Sequence, residues 1–210
     1  MRGLIYKDVF VFFKSIDKKL LLIAGAAIAL LMLQTGVYAG LLASVMLAMT
    51  IGMQNVMSFA CDEKAGWKKY QLAMPVSSLR VVASKYISVL YTAAVSVFGS
   101  IVFNLAGSIV FDSFNPQIWS ISIAVAIMVP LIWTGICFPF TYWFGYHSGQ
   151  TMGLISVIPM FYIIKYFEDG AGISALVTNA ENYAAAAFIA VPIVFAVSMA
   201  ASVIGYERKK

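Results

Sequence analysis

Few residues in this chain have the type and spacing that catalysis or metal binding requires. His147 is the only histidine, and the two cysteines, Cys61 and Cys137, form no C-x-x-C pair. A lone histidine without a second ligand nearby is more often structural than metal-binding. The chain has no H-E-x-x-H, no G-x-S-x-G and no Gly-Lys-Ser/Thr phosphate loop. We therefore expect no catalytic, cofactor or metal site, no disulfide framework, and no ATP hydrolysis by this chain alone.

The residues that could bind a partner concentrate in segment 61–86, a long polar stretch between two apolar ones. Five of the fourteen basic residues lie there with two acids: Lys64, Lys68, Lys69, Arg80, Lys85, Asp62 and Glu63. Trp67, Tyr70 and Met74 are spaced by three and four residues, which puts them on one helix face. This spacing predicts a short helix over 64–74.

The boundaries of that helix follow from the residues on either side. Asp62 and Glu63 suit the positive end of a helix dipole, so we expect the helix to begin after them. Pro75 would end it. Ser77 or Ser78 can cap a second helix that runs through Arg80 and Lys85 into the next apolar stretch. Two roles are open for the segment: aromatic and lysine contacts with lipid headgroups, or a protruding helix that binds a partner protein.

The composition predicts a polytopic membrane protein. The 210 residues are 62% hydrophobic and 11% charged, with a mean hydropathy of +0.90, whereas soluble domains are about 45–50% apolar and about 25% charged. A span needs about 20 apolar residues. We expect one transmembrane domain over 1–210 with six spans and no separate soluble domain. The net charge is +5, but the basic residues that cause it lie at span ends, so nucleic acid is not an expected partner.

The elements follow in chain order. Residues 1–19 predict an interfacial amphipathic helix with Ile5, Val9 and Phe12 on its apolar face and Lys7 and Lys14 opposite; the alternative is the frayed start of span 1. The first apolar run starts near Lys19 and is followed at once by a second, whereas a cleaved signal peptide has a shorter apolar core, so we expect a true first span. The predicted spans are 20–33, 38–60, 87–111, 118–142, about 150–164 and 184–204, joined by turns at 34–36, 112–116 and 145–149 and a polar loop at 165–183 with a weak re-entrant stretch at 173–177.

The distribution of positive charge predicts the topology. With the N-terminus inside, all of the fourteen Lys and Arg residues except Lys165 lie on the cytoplasmic side, in residues 1–19, 61–86 and the tail 205–210. Cytoplasmic loops carry an excess of Lys and Arg. We therefore expect both termini and segment 61–86 to be cytoplasmic.

No acidic or basic residue lies in the middle of a predicted span, which argues against transport driven by an ion gradient. The polar residues there are neutral: Gln54, Asn55 and Asn104 either hydrogen-bond between helices, the more frequent role, or line a translocation path. Gly145, Gly149 and Gly153 repeat every four residues and predict close helix packing.

The pattern Asp62-Glu63-Lys64-x-Gly66-Trp67-x-x-Tyr70-x-Leu72-x-x-Pro75-Val76-Ser77 resembles the membrane subunits of bacterial ABC-2 type transporters. The likeness is greatest to the small six-span permeases of bacitracin-resistance and phenol-soluble-modulin exporters. The opening residues Met1–Asp8 match the start of such permeases, and the resemblance covers the whole chain in span order.

The resemblance implies a fold and a function. The segment after span 2 would be a cytoplasmic coupling helix that docks into a separate ABC ATPase subunit through Glu63, Gly66, Trp67, Tyr70 and Pro75. ATP and Mg would bind that subunit, and a second permease subunit, identical or paralogous, would complete the exporter in the bacterial plasma membrane. The apolar, uncharged interior and the resemblance suggest a hydrophobic or amphipathic substrate, peptide or lipid-like. The alternative is a non-transport membrane scaffold or assembly protein with a lipid-binding basic loop.

Overall fold

The computed structural model describes residues 2–14, 25–26, 38–73, 76–112, 114–168 and 180–209, and these contain helices and turns but no strand. The helices are α1 (Arg2–Lys14), α2 (Ala39–Lys64), α3 (Trp67–Ala73), α4 (Ser78–Val110), α5 (Pro116–Phe144), α6 (Tyr146–Glu168) and α7 (Ala180–Arg208). The predicted all-α fold is confirmed for this part of the chain. The predicted turn at 34–36, the stretch 173–177 and, apart from residues 25–26, the predicted span 20–33 lie outside the described residues.

Four of these helices are long and apolar enough to cross a membrane: Ala39–Lys64, Ser78–Val110, Pro116–Phe144 and Ala186–Arg208. At 1.5 Å per residue, α4 is about 50 Å long, whereas the hydrocarbon core of a bilayer is about 30 Å thick. The length of α4 therefore exceeds the thickness of the hydrocarbon core. The count of six spans stays a prediction.

Local sequence signals account for the turn between α4 and α5. The side chain of Asn115 accepts hydrogen bonds from the backbone N–H groups of Gln117 and Ile118, and Pro116 occupies the first turn of α5, where a missing N–H has no cost. The described residues of the turn predicted at 112–116 lie between α4 and α5 as expected, except that Pro116 already belongs to α5. The predicted connector 145–149 is shorter in the structure, because Gly145 at a φ of +103° reverses the chain alone and α6 begins at Tyr146.

The core lies between α2, α4, α5 and α7, with α5 in contact with α2, α4, α6 and α7. Tyr86 and Phe138 are among the largest fully buried side chains. Their rings meet edge to face with centroids 5.3 Å apart, a favourable arrangement for two aromatic quadrupoles. The Tyr86 hydroxyl lies 2.7 and 2.8 Å from the hydroxyls of Ser198 and Ser202, so this core pair also joins α4 to α7.

The faces of α4 are reversed relative to those of a helix in a soluble protein. Its outer face exposes large apolar side chains such as Tyr91, Phe98 and Ile109, as a helix in lipid would. Its inner face carries a buried polar row, spaced by three or four residues, that comprises Lys85, Ser88, Thr92, Ser96, Ser100 and Asn104. Polar and small side chains on inner faces hold membrane helices together.

The orientation of α1 differs from the prediction. Leu4, Asp8 and Phe12 are the buried residues of this helix, and it packs against α4 and α2. Phe12 is buried as expected, but Lys7 points toward the bundle with its side chain only 21% exposed. Lys7, which we expected opposite the apolar face, instead contacts other helices, because α1 turns Lys7 toward Asp62 of α2 and Asp8 toward Lys85 of α4.

Candidate functional site: the junction around Trp67

A tight turn positions the short helix α3 directly after α2. The N–H of Ala65 donates to Cys61 O at 3.0 Å, and the N–H of Gly66 donates to Glu63 O at 3.0 Å. Gly66 has a φ of +62°, a left-handed conformation that glycine adopts without a Cβ penalty. Trp67 then begins α3, so the glycine sets the direction in which this helix leaves α2.

The helix boundaries at this junction correct one prediction. Asp62 and Glu63 lie in the last turn of α2, which ends at Lys64, and do not begin a new helix. The short helix, predicted over 64–74, begins at Trp67, and Trp67–Ala73 is its described part. Ser77 precedes α4 in an extended conformation, as expected of an N-cap, although its side chain makes no capping hydrogen bond.

Within α3, the shared face of Trp67 and Tyr70 is present. Their ring centroids are 6.4 Å apart. Trp67 is half-buried, while Tyr70 is 65% exposed. The exposed surface of α3 therefore includes an aromatic ring that no other part of the described chain covers.

Four charged side chains meet beside this junction, and we call Lys7, Asp8, Asp62 and Lys85 the charge quartet. Lys7 Nζ lies 2.7 Å from Asp62 Oδ1 and 3.0 Å from Asp8 Oδ1. Lys85 Nζ lies 2.7 Å from Asp62 Oδ2 and 3.1 Å from Asp8 Oδ1. The two ammonium groups and two carboxylates balance in charge, as a buried ionic cluster requires.

Two members of the quartet are buried, while the side chains of Lys7 and Asp62 are 21% and 17% exposed. Asp8 and Lys85 are each 4% exposed. Lys85 also donates a hydrogen bond to the Ser58 hydroxyl at 3.0 Å, and its ammonium lies 4.6 Å from the Phe59 ring centroid. In this low-dielectric environment each ion pair is stronger than it would be in water.

The quartet also contacts α3. The Lys7 ammonium lies 4.5 Å from the centroid of the Trp67 ring, a distance at which a cation is attracted to the negative face of an indole. Trp67 is therefore held between the turn at Gly66 and the N-terminal helix.

Glu63 contacts a different helix. Its Oε1 accepts a hydrogen bond from the backbone N–H of Tyr146 at 3.4 Å, at the first residue of α6. A carboxylate is favourable at this positive helix end. The side chain that resemblance assigned to ATPase docking thus also ties the end of α2 to the start of α6.

A cavity of about 140 Å³ opens beside the junction. Trp67, Gln71, Asp62 and Lys85 line it together with Phe59, Glu63, Thr141, Tyr142, Gly145, Tyr206 and Lys209. The indole N–H of Trp67 is buried and has no acceptor among the described residues. The cavity separates α3 from the ends of α5 and α7.

The other predicted site residues lie away from this junction. Asn55 hydrogen-bonds to Thr92 of α4 at 2.8 Å. The Asn104 amide donates to Ser100 O at 2.8 Å and lies 3.3 Å from the Ser44 hydroxyl. Both asparagines are 4% exposed and bridge helices. Gln54 is half-buried on α2.

The three glycines predicted to pack serve two purposes. A Cβ at Gly149 would overlap the Thr141 side chain, and one at Gly153 would come within 3.3 Å of Trp133, so α6 approaches α5 closely at both. A Cβ added at Gly145 would have no atom within 4 Å, and this glycine instead makes the turn. Pro75 lies outside the described residues.

Sequence reasoning did not find the quartet as a unit. Asp62 and Lys85 lay in the charged segment, but the residues Lys7 and Asp8 were not connected with them, because Lys7 and Asp62 are separated by 55 positions. One signal was available: Asp8 lies midway between Leu4 and Phe12 on one stripe of an amphipathic helix, where a lone carboxylate needs a partner.

The fold and the junction define the chain as a helical membrane protein whose long helices expose apolar side chains and meet in a core of aromatic, aliphatic and polar residues. A sequence profile of ABC-2 family transporter proteins matches residues 3–207. The chain belongs to this family, as the resemblance indicated, and is an ABC-2 type permease, a membrane component of transport. No curated protein and no solved structure matches the chain significantly.

Proposed function

We propose that this chain is the membrane subunit of an ABC exporter in the bacterial plasma membrane and that a separate ATPase subunit docks on α3. The family match supports the class, and ABC-2 permeases generally work with an ATPase subunit, often as dimers. The observation that carries the docking surface is α3 itself: a short helix between two long ones, fixed at its root and exposed at Tyr70.

The proposal extends to orientation and substrate. The positive-inside distribution favours a cytoplasmic α3, which is where an ATPase would meet it. The described spans present apolar outer faces, and their inner polar groups are neutral except at the junction. These features support a hydrophobic or amphipathic substrate, peptide or lipid-like, moved by a pair of permease subunits.

The contacts of Trp67 and Tyr70 decide which of the two is the better residue to replace in a docking test. Trp67 also contacts Lys7, so its removal would disturb the junction as well as the surface. Tyr70 is the more exposed aromatic, and replacing it alters the surface with less effect on the fold.

We predict that Tyr70→Glu abolishes co-purification with a nucleotide-binding subunit that co-purifies with the parent chain. A charge at the centre of an apolar contact costs about 2–4 kcal/mol, equivalent to a loss in affinity on the order of a hundredfold. The measurement is binding of the purified permease in nanodiscs to that ATPase, with ATP turnover as a second readout.

The matched control is Phe114→Glu. Phe114 is 68% exposed and follows the opposite end of α4, so its replacement should leave ATPase binding unchanged. Equal binding by both variants and the parent would contradict docking on α3. A chain that binds anionic vesicles but no ATPase would instead support the scaffold alternative.

A further inference from the structure

The charge quartet links three helices in a closed triangle. Lys7 to Asp62 joins α1 to α2, Asp8 to Lys85 joins α1 to α4, and Asp62 to Lys85 joins α2 to α4. Each helix pair shares one ion pair. No one of the three helices can move away from the others without separating opposite charges in a poorly solvated environment.

The short helix α3 is connected to this triangle at its root. Asp62 lies one turn before the Gly66 reversal, whose two backbone hydrogen bonds hold Ala65 and Gly66 against the end of α2. From the other side, Lys7 of α1 contacts the Trp67 ring. A displacement of α3 therefore acts on α1 and α2 at the same place.

Beyond the triangle, α2 and α4 are bonded to each other along their length. Asn55 and Thr92 hydrogen-bond at 2.8 Å in the middle. Ser44 and Ser100 hydroxyls meet at 2.7 Å toward the far end. Together with the pair of Asp62 and Lys85, these contacts join α2 and α4 at three levels along their length.

We propose that the charge quartet is a positioning element that makes α1, α2 and α4 follow α3 as one body. Lys7, Asp8, Asp62 and Lys85 are positioning residues: they act through α3 and the helices they join. The inference rests on the proposed function in one respect only: the ATPase subunit is the proposed source of the force that moves α3. The alternative is a cluster that contributes stability alone.

The first test uses the permease alone, in nanodiscs. Spin labels replace Tyr6 on α1 and Lys69 on α3, both exposed, in a Cys61→Ser/Cys137→Ser background. The test variant is Asp62→Leu/Lys85→Met, which removes all three ion pairs between helices. The opposite charges of Lys7 and Asp8 on α1 remain paired with each other. We expect the width of its distribution of distances between the two labels to increase at least about twofold. Its thermal unfolding temperature should stay close to that of the parent.

Two single variants complete the design. Lys7→Met removes the contacts with Asp62 and Trp67 but leaves Lys85 paired with both carboxylates, so it should also broaden the distribution even if the double variant does not fold. Lys14→Met is the matched control, because Lys14 lies over Phe10 of its own helix at 5.9 Å. Distributions as narrow as the parent's in both test variants would overturn the proposal.

The second test measures transfer of movement and needs no cargo. In the complex with the ATPase subunit, Mg-ATP and vanadate should change the distances from Lys69 and from Tyr6 to a label at Phe114. In Asp62→Leu/Lys85→Met, the Lys69 distance should still respond and the Tyr6 distance should not. A purely stabilising cluster would leave both responses intact, which would overturn the proposal.

The two tests keep the inference separate from the proposed function. If no ATPase subunit binds α3, the proposed source of force is wrong, while the distributions measured on the permease alone still decide whether the quartet positions α3. If the ATPase binds and α1 follows α3 without the ion pairs, the quartet is not the link.

Discussion

At the residue scale, the acids at the end of α2 show how tertiary contacts overrule a local preference. A carboxylate in the last turn of a helix lies near the negative end of the helix dipole, which is unfavourable by about 0.3–1 kcal/mol. Asp62 is nevertheless there, because Lys7 and Lys85 each approach it to 2.7 Å from other helices. Two ion pairs outweigh the dipole.

Asn104 shows the same principle with neutral groups. Its amide oxygen lies 3.2 Å from the Ser122 hydroxyl of α5, and its amide nitrogen lies near Ser44 of α2. Ser44 donates to Gly40 O of its own helix. The single hydroxyl proton of Ser122 goes either to Asn104 Oδ1 or to Ile118 O of its own helix, which lies closer, at 2.7 Å. The asparagine therefore links three helices without any neighbour depending on it for its own hydrogen bond.

This arrangement predicts a modest effect for Asn104→Ala. Because the serines keep partners, we expect a loss of about 1 kcal/mol in the free energy of unfolding, measured in mixed micelles, and unchanged ATP-dependent transport. Ser120→Ala, at an exposed hydroxyl that bonds to Gln117 O, is the control. A large loss of transport at parental stability would favour the translocation-path interpretation of Asn104.

At the element scale, the close approach of α5 and α6 depends on glycines, which have no side chain to separate the two backbones. At Gly149 an added Cβ would overlap Thr141 Oγ1 and lie 3.2 Å from Cys137 O. Small residues let membrane helix backbones approach closely enough for dispersion contacts. The repeat of glycines every four residues identified this face correctly at Gly149 and Gly153, but Gly145 is a turn residue.

We predict that Gly149→Ala destabilises the protein by about 1–3 kcal/mol, the usual cost of overpacking. Part of the loss should be recovered in Gly149→Ala/Thr141→Ala, which removes the overlapping hydroxyl, and thermal unfolding in detergent measures both. Gly3→Ala serves as the control, since nothing lies within 4 Å of a Cβ there. Equal stability of Gly149→Ala and Gly3→Ala would mean that the two helices separate freely.

At the scale of the whole molecule, the two ends of α4 differ in chemistry. The end near Ser78 has the charge quartet and α3. The other end has a turn that contains Asp112 but no Lys or Arg, and there the rings of Phe114 and Trp119 lie 5.5 Å apart. The bundle is therefore polarised along its long axis, as the one-sided distribution of Lys and Arg predicts.

This polarity gives a test of topology. In the Cys61→Ser/Cys137→Ser background, we expect a membrane-impermeant maleimide to label Phe114→Cys in intact cells, and Lys69→Cys only after permeabilisation. Both positions are exposed, so a difference in labelling reports the side of the membrane. Labelling of Lys69→Cys in intact cells would reverse the orientation and exclude an ATPase on α3.

The sequence by itself determined the features that depend on neighbouring residues and composition. Apolar content and span-length stretches established a helical membrane protein. Asn115 and Pro116 defined a turn through local hydrogen bonding and a fixed φ. The spacing of Trp67 and Tyr70 defined the face of α3, because three residues make nearly one helical turn.

Only the tertiary structure decided which charges meet. The quartet joins residues from positions 7 to 85 on three helices, and nothing in local periodicity relates them. Helix packing brought Asp8 and Lys85 out of water, and burial then required that each charge be paired. The orientation of α1 and the connection of α3 to the bundle both follow from that requirement.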